Sequence, residues 1–141
     1  MSELKDIVPP LELCKLIPAG AFEDSALVWR ERIGQISRDD RVKIREPEDI
    51  SYKNEFVEVN YFPAPTLAEI LAKIPAAING VGVLELALDD RAENNDGRYV
   101  ICYNRYGVDG ALEETTQLES DNNSATAALR MWLRIRREDG R

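Results

Sequence analysis

The sequence predicts an α+β fold: one globular domain over residues 1–141, an antiparallel sheet of about four or five strands, and two main helices packed on one of its faces. Three observations carry this. Several short segments alternate apolar and polar residues with a period of two, among them Arg41 to Arg45, Glu55 to Tyr61 and Val83 to Leu88. Two segments instead carry apolar residues at helical spacing behind capping residues: Thr66 to Ile74, and Ala125 to Arg136. The composition, 44% hydrophobic and 31% charged over 141 residues, belongs to a chain able to bury a core without disulfides or metals.

In chain order, Pro9 to Pro18 reads as a short helix. Proline stands where a helix starts and again where it must stop, with Leu13, Leu16 and Ile17 on one side. Ser25 to Arg30 is a strand with Leu27 and Trp29 on one face, and Arg41 to Arg45 is another with Val42 and Ile44 inward; Ser37 to Asp40 between them reads as a turn. Glu46 to Asp49 is a solvated loop. The next strand, Glu55 to Tyr61, turns Val57, Val59 and Tyr61 inward and Glu58 and Asn60 outward. Pro63 and Pro65 then force a corner, after which Thr66 caps a helix and Glu69 closes a capping box. Leu67, Ile70, Leu71 and Ile74 form that helix's apolar stripe, and Pro75 ends it. Beyond Gly80 and Gly82, Val83 to Leu88 places Leu84, Leu86 and Leu88 in the core. It pairs across the polar connection Asp89 to Gly97 with a strand from Arg98 to Tyr106. Leu112 to Leu118 forms an edge strand. Asp121 to Ser124 offer caps for the last helix, which buries Ala128, Leu129, Trp132 and Ile135. Leu67, Leu71, Leu129 and Trp132 are expected to pack on Leu84 and Leu86.

The segment Tyr61 to Pro75, with its Pro65-Thr66-Leu67-Ala68-Glu69-Ile70-Leu71 core, and the segment Ala125 to Leu133, with Ala128-Leu129-Arg130-Met131-Trp132-Leu133, together resemble a family of small uncharacterised proteins of bacteriophages, prophages and gut bacteria. In those, two such helices flank a few strands. The resemblance implies a mobile-element accessory protein and brings no activity with it.

The charge balance, 18 Lys and Arg against 26 Asp and Glu for a net −8, repels phosphate backbones and anionic membranes, so duplex nucleic acid and membranes are not expected partners. Cys14 and Cys102 sit in apolar runs and read as small buried hydrophobes. No basic leader and no apolar run of membrane-spanning length occurs, and the expected compartment is the cytoplasm.

The sequence contains no histidine, which removes the commonest general base and zinc ligand and the usual Ser-His and Cys-His nucleophile systems. Gly80-Val81-Gly82 lacks the third glycine and the following helix of a phosphate loop. No cofactor or metal site is assigned: the pairs Asp39-Asp40 and Asp89-Asp90, with Asp96, match no calcium-loop spacing and read as solvated loop acids. An enzyme using a carboxylate-held metal therefore ranks last. Two candidate surfaces remain. The acids Asp39, Asp40, Asp89 and Asp90 would steer a basic protein partner, from a host or a phage. Arg98, Tyr99, Tyr103 and Arg105, with Arg130 and Arg134 spaced four apart on the last helix, would form an Arg and Tyr patch for a small ligand or nucleotide. The leading expectation is a non-enzymatic recognition protein acting on a protein partner, with self-association left open.

Overall fold

The computed structural model describes residues 3–88 and 99–139, with the side chain of Asp139 excepted; Asp89, Asp90, Asp96 and Arg98 lie outside the described residues. The fold is α+β, with antiparallel pairing throughout, but the expected sheet of four or five strands is replaced by two four-stranded sheets. They belong to two compact units, Met1–Glu69 and Ile70–Arg141.

In the first unit the strand order is β2-β1-β4-β3, from β1 (Leu27–Gly34), β2 (Arg38–Ile44), β3 (Tyr52–Lys53) and β4 (Val57–Pro63). The expected turn at Ser37 to Asp40 is a correction: only Gln35 to Ser37 turn, and β2 begins at Arg38. A run of charges makes a strand here because its charges find partners. Arg38 pairs with Asp40 and Arg41 with Asp39 along the strand, and Arg38 also reaches Glu31 on β1. Ile44, expected inward, is 67% exposed at the strand's end.

One face of this sheet is covered by the N-terminal segment. That segment holds a 3-10 turn, Leu4–Ile7, and α1 (Leu11–Cys14), a single turn where a longer helix was expected. Pro10 stands just before its first residue, and Leu16, expected on the apolar side, is exposed. The Trp29 indole N–H donates to the Pro9 carbonyl at 2.9 Å, fixing the segment over β1. Beside Trp29 on the same face, Glu31 is only 3% exposed. It is held by Lys15 at 2.5 Å, Arg38 at 2.5 Å and the Asn60 amide at 3.1 Å. Asn60, expected to point to solvent, is thus a partner of the buried carboxylate.

The corner after β4 follows its sequence. In α2 (Leu67–Leu71) the Thr66 N–H donates to Glu69 Oε1 at 2.8 Å and the Glu69 N–H to Thr66 Oγ1 at 3.4 Å, a closed capping box. Glu69 Oε2 also accepts from the Ala26 N–H at 2.9 Å, so the capping acid ties the helix start to β1.

In the second unit the order is β5-β6-β7-β8, from β5 (Ala77–Ile78), β6 (Gly82–Leu88), β7 (Tyr99–Tyr106) and β8 (Leu112–Asp121). Gly82 is obligatory: its φ is +143°, and a Cβ there would meet the Asn104 carbonyl oxygen at 2.4 Å. The helix on this sheet is α3 (Ser124–Asp139), capped by Asn123, whose side chain accepts from the Thr126 N–H at 3.1 Å. It buries Ala128, Leu129, Trp132 and Ile135 as expected, along with Ala125, Ala127 and Met131. Its contacts run over β7 and β8. The β6 leucines correct the sequence expectation for that reason: Leu84 is half-buried, and Leu86 and Leu88 are exposed, Leu88 at 53%.

Candidate functional site

Of the Arg and Tyr residues expected to form a ligand patch, Tyr103, Arg105, Arg130 and Arg134 have partners within the second unit. Tyr103 is fully buried and its hydroxyl donates to the Pro75 carbonyl at 2.6 Å; burial pushes its phenol up to about 12. Tyr99 is half-buried on the same strand. Arg105 pairs with Glu114 at 2.9 Å and Glu113 at 3.6 Å, Arg130 with Asp121 at 3.4 Å, and Arg134 with Glu119. Arg130 and Arg134 thus lie against acids of β8. Arg98, the patch's sixth member, is outside the described residues, as are Asp89 and Asp90 of the acidic set. The remaining two acids, Asp39 and Asp40, lie in β2 with arginine partners instead of in a free loop.

Burial pushes the Cys14 thiol up to about 12, slightly offset by the Trp29 indole, and also raises Cys102, with the Glu85 charge adding to it. Both thiols are therefore poor nucleophiles. On β6, Glu85 accepts from the Tyr106 hydroxyl and from the Asn104 amide at 2.6 Å; these bonds, Tyr106's first, hold its carboxyl below the usual range and raise the Tyr106 phenol. Thr115 Oγ1 donates on to Asn104 Oδ1 at 2.6 Å. This small network ties three strands by mutual satisfaction of its members. Among the described residues no group of three or more His, Cys, Asp or Glu side chains is placed to hold a metal ion.

The feature that needs an explanation is at the turn end of the first sheet. β1 and β4 are neighbours in register from Val28 opposite Pro63 to Gly34 opposite Val57, so the β1–β2 turn and the β3–β4 turn emerge side by side. In the first, the Gly34 N–H donates to the Ser37 carbonyl at 2.8 Å, closing the turn around Gln35 and Ile36. In the second, Asn54 Oδ1 accepts from the N–H groups of Phe56 at 2.8 Å and Val57 at 3.0 Å, an Asx turn that fixes the loop locally. The Gln35 side-chain amide donates across to the Glu55 carbonyl at 3.1 Å and joins the two tips. Between them lies a notch of about 200 Å³ bordered by Gln35, Asn54 and Phe56. On this hydrogen-bonded frame stand two apolar side chains in solvent: Ile36, fully exposed, and Phe56, 66% exposed.

Comparison with family models, with curated proteins and with solved structures finds no match.

The sequence reading missed the tips, although a signal was there. Val57, Val59 and Tyr61 set the inward phase of β4, and Phe56 is one residue out of that phase, a large aromatic on the side assigned to Glu58 and Asn60. Ile36, likewise, is a lone apolar residue inside the polar Gln35-Ile36-Ser37 turn.

Proposed function

We propose that this chain is a non-enzymatic recognition protein that docks a protein partner through the paired tips carrying Ile36 and Phe56. The single observation that carries the reading is that pair: two large apolar side chains held in solvent on adjacent, mutually hydrogen-bonded turns. Burying such a side chain is worth about 1.5–3 kcal/mol, and a backbone ordered beforehand has little left to lose on binding. Isolated exposed apolar residues are ordinary, whereas a fixed pair beside a notch has the form of an interface anchor. Asp39 and Asp40 play a secondary part in this proposal, because their arginine partners already occupy them. In keeping with the mobile-element resemblance, the partner is a host or phage protein.

The test is affinity purification of the tagged protein from bacterial lysate beside an Ile36→Ser, Phe56→Ser double variant and an Asp39→Asn, Asp40→Asn double variant. The proposal expects a stoichiometric partner that survives the aspartate changes and is lost with the tip changes. A partner retained by the tip variant and lost with the aspartate variant would overturn it and return the docking surface to the acids. Sedimentation of the purified chain completes the test: a dimer dissolved by the tip changes would make the partner a second copy.

A further inference from the structure

The end of the first sheet opposite the tips holds a cavity of about 580 Å³, the size of a small-molecule site. Its walls are mainly apolar, with Ile17 and Pro18 on one side and Tyr61, Phe62 and Pro63 of β4 on another. Set into this wall is Arg45, just after β2. Its Nε donates to the Ser25 carbonyl at 2.8 Å, and its Nη2 to Ser25 Oγ at 2.9 Å and the Phe22 carbonyl at 3.4 Å. Ser25 is itself buried and its hydroxyl donates to the Leu27 carbonyl at 2.9 Å, so the guanidinium is aimed by a fixed support. All of these acceptors are neutral. Among the described residues Arg45 forms no ion pair, and its hydrogen bonds run from Nε and Nη2 to these neutral groups, in a chain whose 26 Asp and Glu outnumber its Lys and Arg. Lys15, the other cation in the wall, is taken by Glu31. A half-buried cation without a counter-ion, opening on an apolar cavity, is matched by an anion with an apolar body.

The acids of the wall refine the class. Asp49 accepts from Lys43 Nζ at 2.7 Å and from the Glu46 N–H at 2.7 Å, Glu46 shares that lysine at 3.2 Å, and Glu23 stands exposed. Such a rim tolerates one negative charge better than two. We propose that the cavity binds a monocarboxylate on an apolar body, the acid group on Arg45 and the body against Ile17, Pro18 and the β4 side chains. A peptide's free carboxyl terminus and a small organic acid share this chemistry. The site is independent of the tips, so either can fail without the other.

The experiment follows backbone amide NMR shifts of the full chain during titration with N-acetyl-Leu-Phe as free acid, with its carboxamide, and with 4-phenylbutyrate. The acid is expected to shift residues 17, 19–21, 45, 46, 48–51, 61 and 62, to bind about tenfold more tightly than the amide, and to fall to the amide's level in Arg45→Gln. Should that variant fail to fold, Ala21→Trp, which fills the cavity with Arg45 intact, must abolish binding of the acid. Tighter binding of the peptide acid than of phenylbutyrate identifies the peptide terminus as the source, and the reverse identifies a small acid. Equal binding of acid and amide, unchanged binding in Arg45→Gln and Ala21→Trp, or shifts confined to other residues would overturn the proposal.

Discussion

The two sheets are covered by different chemistry. The second is covered by α3, whose small and apolar residues Ala128, Leu129 and Trp132 pack as an amphipathic helix does, with Arg130 and Arg134 paired to acids of β8 at the edge. The first is covered by an N-terminal segment with one helical turn, which buries Val8, Leu11 and Cys14. That segment is fastened by two polar devices, the Trp29 bond to Pro9 and the Lys15, Arg38 and Asn60 clasp on Glu31. A helix cover is insensitive to pH and fails when volume is removed. A clasp on a buried carboxylate fails when charge is removed.

The largest effect expected from this contrast is at Leu129, fully buried under α3. Leu129→Ala should cost about 2–5 kcal/mol in urea unfolding, with the same cost at pH 7 and pH 4. An effect under about 1 kcal/mol would mean that α3 is not what covers the second sheet.

Next is Lys15→Met, expected to cost roughly 3 kcal/mol at pH 7, because Glu31 keeps Arg38 but loses its closest ammonium. The pH dependence sharpens it. Burial raises the Glu31 carboxyl, but the hydrogen bonds from Lys15 and Asn60 and the charges of Lys15 and Arg38 outweigh burial and hold it below its ordinary 4.5. A carboxyl depressed in the folded state stabilises fully above its unfolded value, and that contribution is lost as the pH falls through the folded one. The wild-type chain should therefore lose stability below about pH 4.5 by a step that is missing in Glu31→Gln. An identical acid limb in the two proteins would remove the clasp from the account.

The smallest effect on stability is expected at the tips. Ile36→Ser and Phe56→Ser should each change unfolding free energy by no more than about 0.5 kcal/mol, since neither side chain is buried. A larger loss would make the tips part of the fold and not a surface held ready for a partner.

What was legible in the sequence was local and apolar. The Thr66 and Glu69 capping box and the buried side of α3 depend on neighbours three or four residues away, and the burial of Val59 in β4 on simple alternation. What was not legible depended on partners from distant parts of the chain. β2 is a strand because its arginines and aspartates find one another and Glu31, a pairing that residue propensity does not encode. Leu86 and Leu88 alternate as core residues do, yet α3 lies over β7 and β8. Two sheets instead of one also follow from pairing, because each alternating segment specifies a strand but not its neighbour. The Arg and Tyr residues were visible as types, but their acids on β8 were not.

The two units offer their own control for the central claim. Val108, in the turn between β7 and β8, is as fully exposed as Ile36 but stands alone among Gly107, Asp109 and Gly110. The most direct measurement places a photo-cross-linking amino acid at position 36 in one protein and at position 108 in another, and irradiates both in bacterial lysate. Docking through the tips predicts one discrete cross-linked protein from position 36, suppressed by Phe56→Ser, and none from position 108. Equal labelling from both positions, or a position 36 adduct indifferent to Phe56→Ser, would contradict it.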